Sequence, residues 1–79
     1  MHPVRMPPLG QTSDELEIRA WLKREGDAVT AGEPLLEVES DKALLEVEAT
    51  RTGTLLAIVC GEGETVTAGT VIAYIGELS

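Results

Sequence analysis

Between Leu35 and Glu48, apolar and acidic residues alternate on both sides of Asp41-Lys42, the period-2 pattern of half-buried strands. Folding the segment about Asp41-Lys42 sets Val38 opposite Leu45, Leu36 opposite Val47 and Glu37 opposite Glu46. The two runs then share one apolar and one acidic face, as a hairpin requires. A two-residue turn and a four-residue loop over residues 40–43 give the same register. A tight turn favours glycine, which reaches φ > 0 at no steric cost. Lys42 holds that place with no glycine near it, so a wider loop built on a type I turn is predicted. A lysine there either keeps the edge soluble or displays an amine to another protein. The hairpin alone leaves both readings open.

Upstream, residues 1–5 read as a disordered lead or a cloning remnant, and residues 6–79 as the folded domain. Pro7-Pro8-Leu9-Gly10 is extended, because proline fixes φ and removes a donor. Residues 11–15 form a polar loop. Residues 17–23 alternate again and predict a strand with Ile18, Ala20 and Leu22 inward.

A repeat supports that strand. Glu25-Gly26-Asp27-Ala28-Val29-Thr30-Ala31-Gly32 recurs as Glu62-Gly63-Glu64-Thr65-Val66-Thr67-Ala68-Gly69, a shift of 37 residues. The same shift carries Ile18, Ala20 and Leu22 onto Leu55, Ala57 and Val59, and Leu36 and Val38 onto Ala73 and Ile75. Trp21 and Ile58 share an outward position, as do Lys23 and Cys60. The chain therefore reads as two copies of one β unit, each too small to bury its own apolar face. The expected fold is all-β: a flattened barrel or sandwich of two four-stranded sheets with pseudo-two-fold symmetry. Because Lys42 maps onto Ser79, the symmetry pairs the hairpin tip with the region of the chain ends, which should lie away from Lys42.

Seventy-nine residues make one domain near the lower size limit for an unstapled core. Cys60 is the only cysteine, which fits a reducing compartment; it reads as inert packing. The net charge of −8 argues against nucleic-acid binding. No apolar run approaches the ~20 residues of a membrane span, and residues 1–5 lack the apolar segment of a secretory signal.

Catalytic chemistry finds few residues. His2 is the only histidine and sits near the terminus, and Ser13, Ser40 and Ser79 have no base. Glu37, Glu39, Glu46 and Glu48 alternate with core positions and read as a solvated strand face. One cysteine and one histidine do not make a metal set, and the glycines lack the Lys and Ser/Thr of a phosphate loop. Lys42 is left as a site of covalent attachment. Amide formation there would remove its charge and extend a neutral arm from a rigid hairpin.

The chain resembles the lipoyl (biotinyl/lipoyl) carrier domain of 2-oxo acid dehydrogenase acyltransferases from Met6 to Ile75. The resemblance rests on Met6-Pro7-Pro8-Leu9-Gly10, Ile18 with Trp21-Leu22-Lys23, Gly26-Asp27 and Val29. Glu39-Ser40-Asp41-Lys42-Ala43, Gly53 with Leu55, and Glu64-Thr65-Val66 complete it. It implies lipoic acid in amide linkage to Lys42, with Asp41 and Ala43 read by a lipoate ligase or lipoyl transferase. The implied partners are a thiamine-diphosphate-dependent decarboxylase, an acyltransferase core that passes the acyl group to coenzyme A, and a dihydrolipoamide dehydrogenase. It further implies a non-catalytic piece of a longer acyltransferase, in the cytoplasm or, in a eukaryote, the mitochondrial matrix. Two positions depart from the family. Leu16 replaces a glycine matching Gly53, so the turn before Ile18 is expected to differ, and Ser13 replaces an apolar residue. Both lie in the loop that in this family helps choose the decarboxylase. The alternatives are a biotin carrier domain, against which Asp41 and Ala43 argue, the hydrogen-carrier protein of glycine cleavage, and an unmodified sandwich module of a transporter adaptor.

Overall fold

The computed structural model describes residues 1–8, 15–40 and 43–76. Among them the chain forms eight strands and no helix: β1 His2–Arg5, β2 Glu15–Trp21, β3 Ala28–Val29, β4 Pro34–Glu39, β5 Leu44–Glu48, β6 Gly53–Ile58, β7 Thr65–Thr67 and β8 Val71–Gly76. They pair antiparallel into two four-stranded sheets, β1-β8-β6-β3 and β5-β4-β2-β7. The short strands β3 and β7 each cross to the sheet built mainly by the other half, which ties the two repeats together.

The 37-residue shift holds down to single hydrogen bonds. Gly26 N–H donates to the Leu55 carbonyl at 2.7 Å, and Gly63 N–H to the Ile18 carbonyl at 2.8 Å. The turn glycines expected from the sequence, Gly26, Gly32, Gly63 and Gly69, all have φ between +89° and +95°, where a side chain would be strained. Glu25 and Glu62 hold the halves together reciprocally: Trp21 N–H donates to the Glu62 carboxylate at 3.0 Å and Ile58 N–H to Glu25 at 2.8 Å.

The segment expected to be a disordered lead is a strand. β1 pairs with β8, setting His2 against Ile75 and Val4 against Ala73. This is the image of Leu45 against Val38 and Val47 against Leu36 in the other sheet. Val4 and Met6 are buried, like their images Val47 and Ala49. The start of the chain thus fills the place that β5 fills in the first repeat. The symmetry carries the tip of the β4–β5 hairpin onto the gap between the end of β8 and the start of β1.

The core is aliphatic: Leu16, Ile18, Leu35, Leu36, Val38, Leu55, Ile72 and Ala73 are fully buried. Five of these, Ile18, Leu36, Val38, Leu55 and Ala73, were expected inward. Ala20, Leu22, Ala57 and Val59 were also expected inward, but Leu22 is 45% and Val59 51% exposed, and the two alanines are half-buried. A β-bulge between Ile18 and Ala20, repeated between Leu55 and Ala57, adds one residue and reverses the alternation. Trp21 and Ile58, expected outward, therefore pack against the core. The Trp21 indole N–H is satisfied by the Cys60 carbonyl at 2.9 Å. A second bulge pair, at Leu35 and Ile72, turns those side chains inward as well.

Nor is there a turn at Leu16. It lies within β2, opposite Val66, and fills core space. Its image Gly53 has no room for a side chain, because an added carbon would overlap the Gly76 carbonyl oxygen. Glu15, placed in a polar loop from the sequence, begins β2.

Candidate functional site

The β4–β5 hairpin has the register expected from its alternation, with Val38 opposite Leu45, Leu36 opposite Val47 and Glu37 opposite Glu46. Val38 and Val47 are buried, and Leu45 packs against the core beside them. That inward row anchors both arms to the body. Beyond the last pair, Glu39 with Leu44, the Ser40 N–H donates to the Ala43 carbonyl at 2.9 Å. The Ser40 hydroxyl donates to the same oxygen at 3.3 Å. These bonds close the hairpin around the two residues that join Ser40 to Ala43. Those two, Asp41 and Lys42, lie outside the described residues, as does the loop containing Ser13. Ala43, the third residue expected at the tip, is exposed.

The outward side of this hairpin is acidic. Glu37 faces Glu46, and Glu39 faces Glu17 on β2. Like charges opposite one another destabilise a sheet. Arg19, at the β2 bulge, offsets one of these pairs, with its guanidinium 3.7 Å from Glu17 and 3.6 Å from Glu39. Leu44 stands 59% exposed beside Glu39, at the first strand position after the tip.

The other lysine is engaged elsewhere. Lys23 Nζ lies 3.2 Å from Glu33. The Thr30 N–H and then the Lys23 ammonium hold the Glu33 carboxyl below the ordinary glutamate range. Cys60 is buried, and loss of hydration, with Glu64 nearby, raises its thiol pKa. Burial and the raised pKa both disfavour the thiolate, which fits a packing role for this side chain. Two acids of the repeated turns, given no role by the sequence analysis beyond the repeat, are turn ligands. Asp27 accepts the Arg24 N–H at 2.9 Å and Glu64 the Gly61 N–H at 2.6 Å. Their signal was present in the repeated Glu-Gly-Asp/Glu turn. Among the described residues, no three His, Cys, Asp or Glu side chains gather as a metal-binding group.

An all-strand body of two symmetric sheets that closes one hairpin around a lysine-bearing pair is the architecture of a carrier domain. Residues 2–75 match the Biotin_lipoyl family, described as "Biotin-requiring enzyme", and the chain belongs to that family. Within it, the chain is similar to lipoyl domains of 2-oxo acid dehydrogenase acyltransferases. It is 46% identical over 74 residues to the dihydrolipoyllysine-residue acetyltransferase component of the pyruvate dehydrogenase complex of Corynebacterium glutamicum, covering 94% of this chain and 11% of that protein. To the corresponding component of the acetoin cleaving system of Bacillus subtilis it is 43% identical, covering 94% of this chain and 19% of that one. The solution structure of the lipoyl domain of the 2-oxoglutarate dehydrogenase complex of Azotobacter vinelandii superposes with a TM-score of 0.77. Its sequence identity is 28%, with 98% of each chain covered. The chain thus spans between about a tenth and a fifth of the length of these two acetyltransferase components.

Proposed function

We propose that Lys42 carries lipoic acid in amide linkage and that the chain works as the swinging-arm carrier of a 2-oxo acid dehydrogenase complex. The observation that carries this reading is the hairpin register. It brings Ser40 and Ala43 into contact at the end of two core-anchored strands and leaves only Asp41 and Lys42 to span the tip. The tip fits such a group, since Ala43 and Leu44 are exposed and the inward row that fixes the strands ends at Val38 and Leu45. Lys23, by contrast, is held against Glu33.

When bound, a lipoyl group supplies a dithiolane that takes up an acyl group reductively from a thiamine-diphosphate-dependent decarboxylase and yields it to coenzyme A. The residues of this chain fix where that arm begins. Val38, Leu45 and Val47 hold the strands, Ser40 and Ala43 close the tip, and Asp41 and Ala43 flank the amine that a lipoate ligase or lipoyl transferase must find. The further partners in this reading are the acyltransferase core of a longer parent chain and a dihydrolipoamide dehydrogenase, in the cytoplasm or mitochondrial matrix. The relatives support it through their names, which place them in pyruvate, acetoin and 2-oxoglutarate systems.

Biotin attachment is the second reading, because the family includes biotin carriers. The test is intact mass after expression with lipoate or biotin supplied and the matching ligase present. A lipoyl adduct alone is expected. A biotinyl adduct, or an unmodified chain under both conditions, would overturn the proposal.

A further inference from the structure

We propose that the pocket formed by His2, Pro3, Thr50, Arg51 and Thr52 is an oxyanion site that takes a carboxylate or a phosphate. It is independent of what Lys42 carries. Residues 50–52 join the far end of β5 to β6, so the pocket lies at the end of the molecule opposite the hairpin tip. Its side chains present donors. The Arg51 guanidinium donates to His2 Nδ1 at 3.1 Å. A guanidinium cannot accept, so Nδ1 does, and the imidazole proton sits on Nε2 as a second donor. The Thr52 hydroxyl oxygen accepts the Ala31 N–H at 3.1 Å, which leaves its O–H to donate. A planar guanidinium fork with hydroxyls beside it matches the oxygens of a carboxylate or a phosphate.

The charge around this pocket runs against that of the chain. The sequence has 14 Asp and Glu against 6 Lys and Arg, yet no carboxylate stands among the described residues of the lining. Nor does a carboxylate of the described residues pair with Arg51, whereas Arg19 lies between Glu17 and Glu39 and Lys23 lies against Glu33. The pseudo-two-fold symmetry shows that the fold does not require basic groups here. His2 and Pro3 correspond to Leu45 and Glu46, and residues 50–52 to residues 7–15, which hold no Lys or Arg but include Asp14 and Glu15. Two sources of the oxyanion fit. One is a free phosphate. The other is Glu77, which lies outside the described residues but follows Gly76, the partner of Thr54 on the strand that Thr52 leads into. The lining side chains are exposed or half-buried, so water competes and the affinity for free phosphate should be roughly millimolar.

The test titrates inorganic phosphate into the isotope-labelled parent, Glu77→Gln and Glu77→Gln/Arg51→Gln chains at neutral pH, with sodium chloride of equal ionic strength as the blank. Magnetic resonance reads the amides of Thr50, Arg51 and Thr52 and the Arg51 guanidinium. Saturable shifts at these groups are expected in Glu77→Gln with phosphate and not with chloride. Removing Arg51 as well should weaken binding at least about tenfold, the loss of a charge-assisted hydrogen bond. Melting temperature, followed in parallel, should change little because Arg51 is exposed, so lost binding reports the site and not the fold. Tighter binding by Glu77→Gln than by the parent would identify the Glu77 carboxylate as the resident that phosphate replaces. Binding no tighter than the parent's would assign the site to a free oxyanion. Either result upholds the site. The absence of saturable shifts in both the parent and Glu77→Gln, or binding that survives the loss of Arg51, would overturn it.

Discussion

Replacing Gly53 by alanine sets a methyl carbon against the backbone of the neighbouring strand. The added atom would overlap the Gly76 carbonyl oxygen and lie 2.9 Å from Ile75 Cγ2 and 3.1 Å from the Gly76 carbonyl carbon. Carbon atoms rest about 3.5–4.0 Å apart, so β8 must move by most of an ångström or β6 must tilt. Ile75 and Gly76 are both buried, and Thr54 pairs with Gly76, so movement disturbs packing and the ladder together. Overpacking costs roughly 1–3 kcal/mol, and a weakened ladder bond adds about 1 kcal/mol. The expected loss of about 2–4 kcal/mol is a large share of the roughly 4–12 kcal/mol a chain of this size commands. At roughly 4–8 °C per kcal/mol, the midpoint of thermal unfolding should fall by at least about 8 °C. Gly61→Ala is the control, since its added carbon meets only the Glu64 carboxylate at 3.7 Å. It should match or slightly exceed the parent, as a Gly→Ala change at a compatible site does. Urea and thermal unfolding followed by circular dichroism measure both. Equal stability of Gly53→Ala and the parent would refute the close approach of β6 and β8.

Leu16→Ala, at the image of Gly53 but with a fully buried side chain, should cost about 2–5 kcal/mol in urea unfolding. Val38→Ala, on the inner row of the hairpin, should cost about 2 kcal/mol, whereas Lys42→Arg should stay within about 0.5 kcal/mol in the same assay. Cys60 should resist a thiol reagent in the native chain and react fully in denaturant, because it is buried and its thiol pKa is raised. Glu33 has a lowered pKa, so its contribution is complete above the ordinary glutamate value and is lost as pH falls through the lowered one. Glu33→Gln should therefore flatten the dependence of melting temperature on pH below about pH 4.3.

Much of this architecture was legible because it rests on period and repetition. The hairpin register followed from alternation around Asp41-Lys42, and the turn glycines from the repeat. The bulges were not legible, since one extra residue at Arg19 or Leu56 leaves no mark on composition yet reverses every side chain beyond it. That is why Leu22 and Val59 face outward and Trp21 packs inward. β1 was missed because a short segment with Pro3 gives a weak strand signal on its own. Val4 and Met6 do repeat the alternation of Val47 and Ala49, but the equivalence emerges only once β1 is seen beside β8. At the candidate site, the register that brings Ser40 to Ala43 was legible, while Lys42 itself lies outside the described residues. The role of Arg19 was not legible, because its bridge to Glu17 and Glu39 depends on the bulge.

The central claim is that one lysine, Lys42, is the attachment site, and a tryptic map of the ligase-treated chain tests it most directly. Trypsin cuts the unmodified chain after Arg24, Lys42 and Arg51, giving residues 25–42 and 43–51 as separate peptides. An amide on Lys42 removes the charge that trypsin reads, so residues 25–51 should appear as one peptide carrying the lipoyl mass. The Lys23→Arg chain should give that same peptide, and the Lys42→Arg chain should carry no adduct at all. A lipoyl mass retained by Lys42→Arg, or found on the peptide that contains Lys23, would contradict the account.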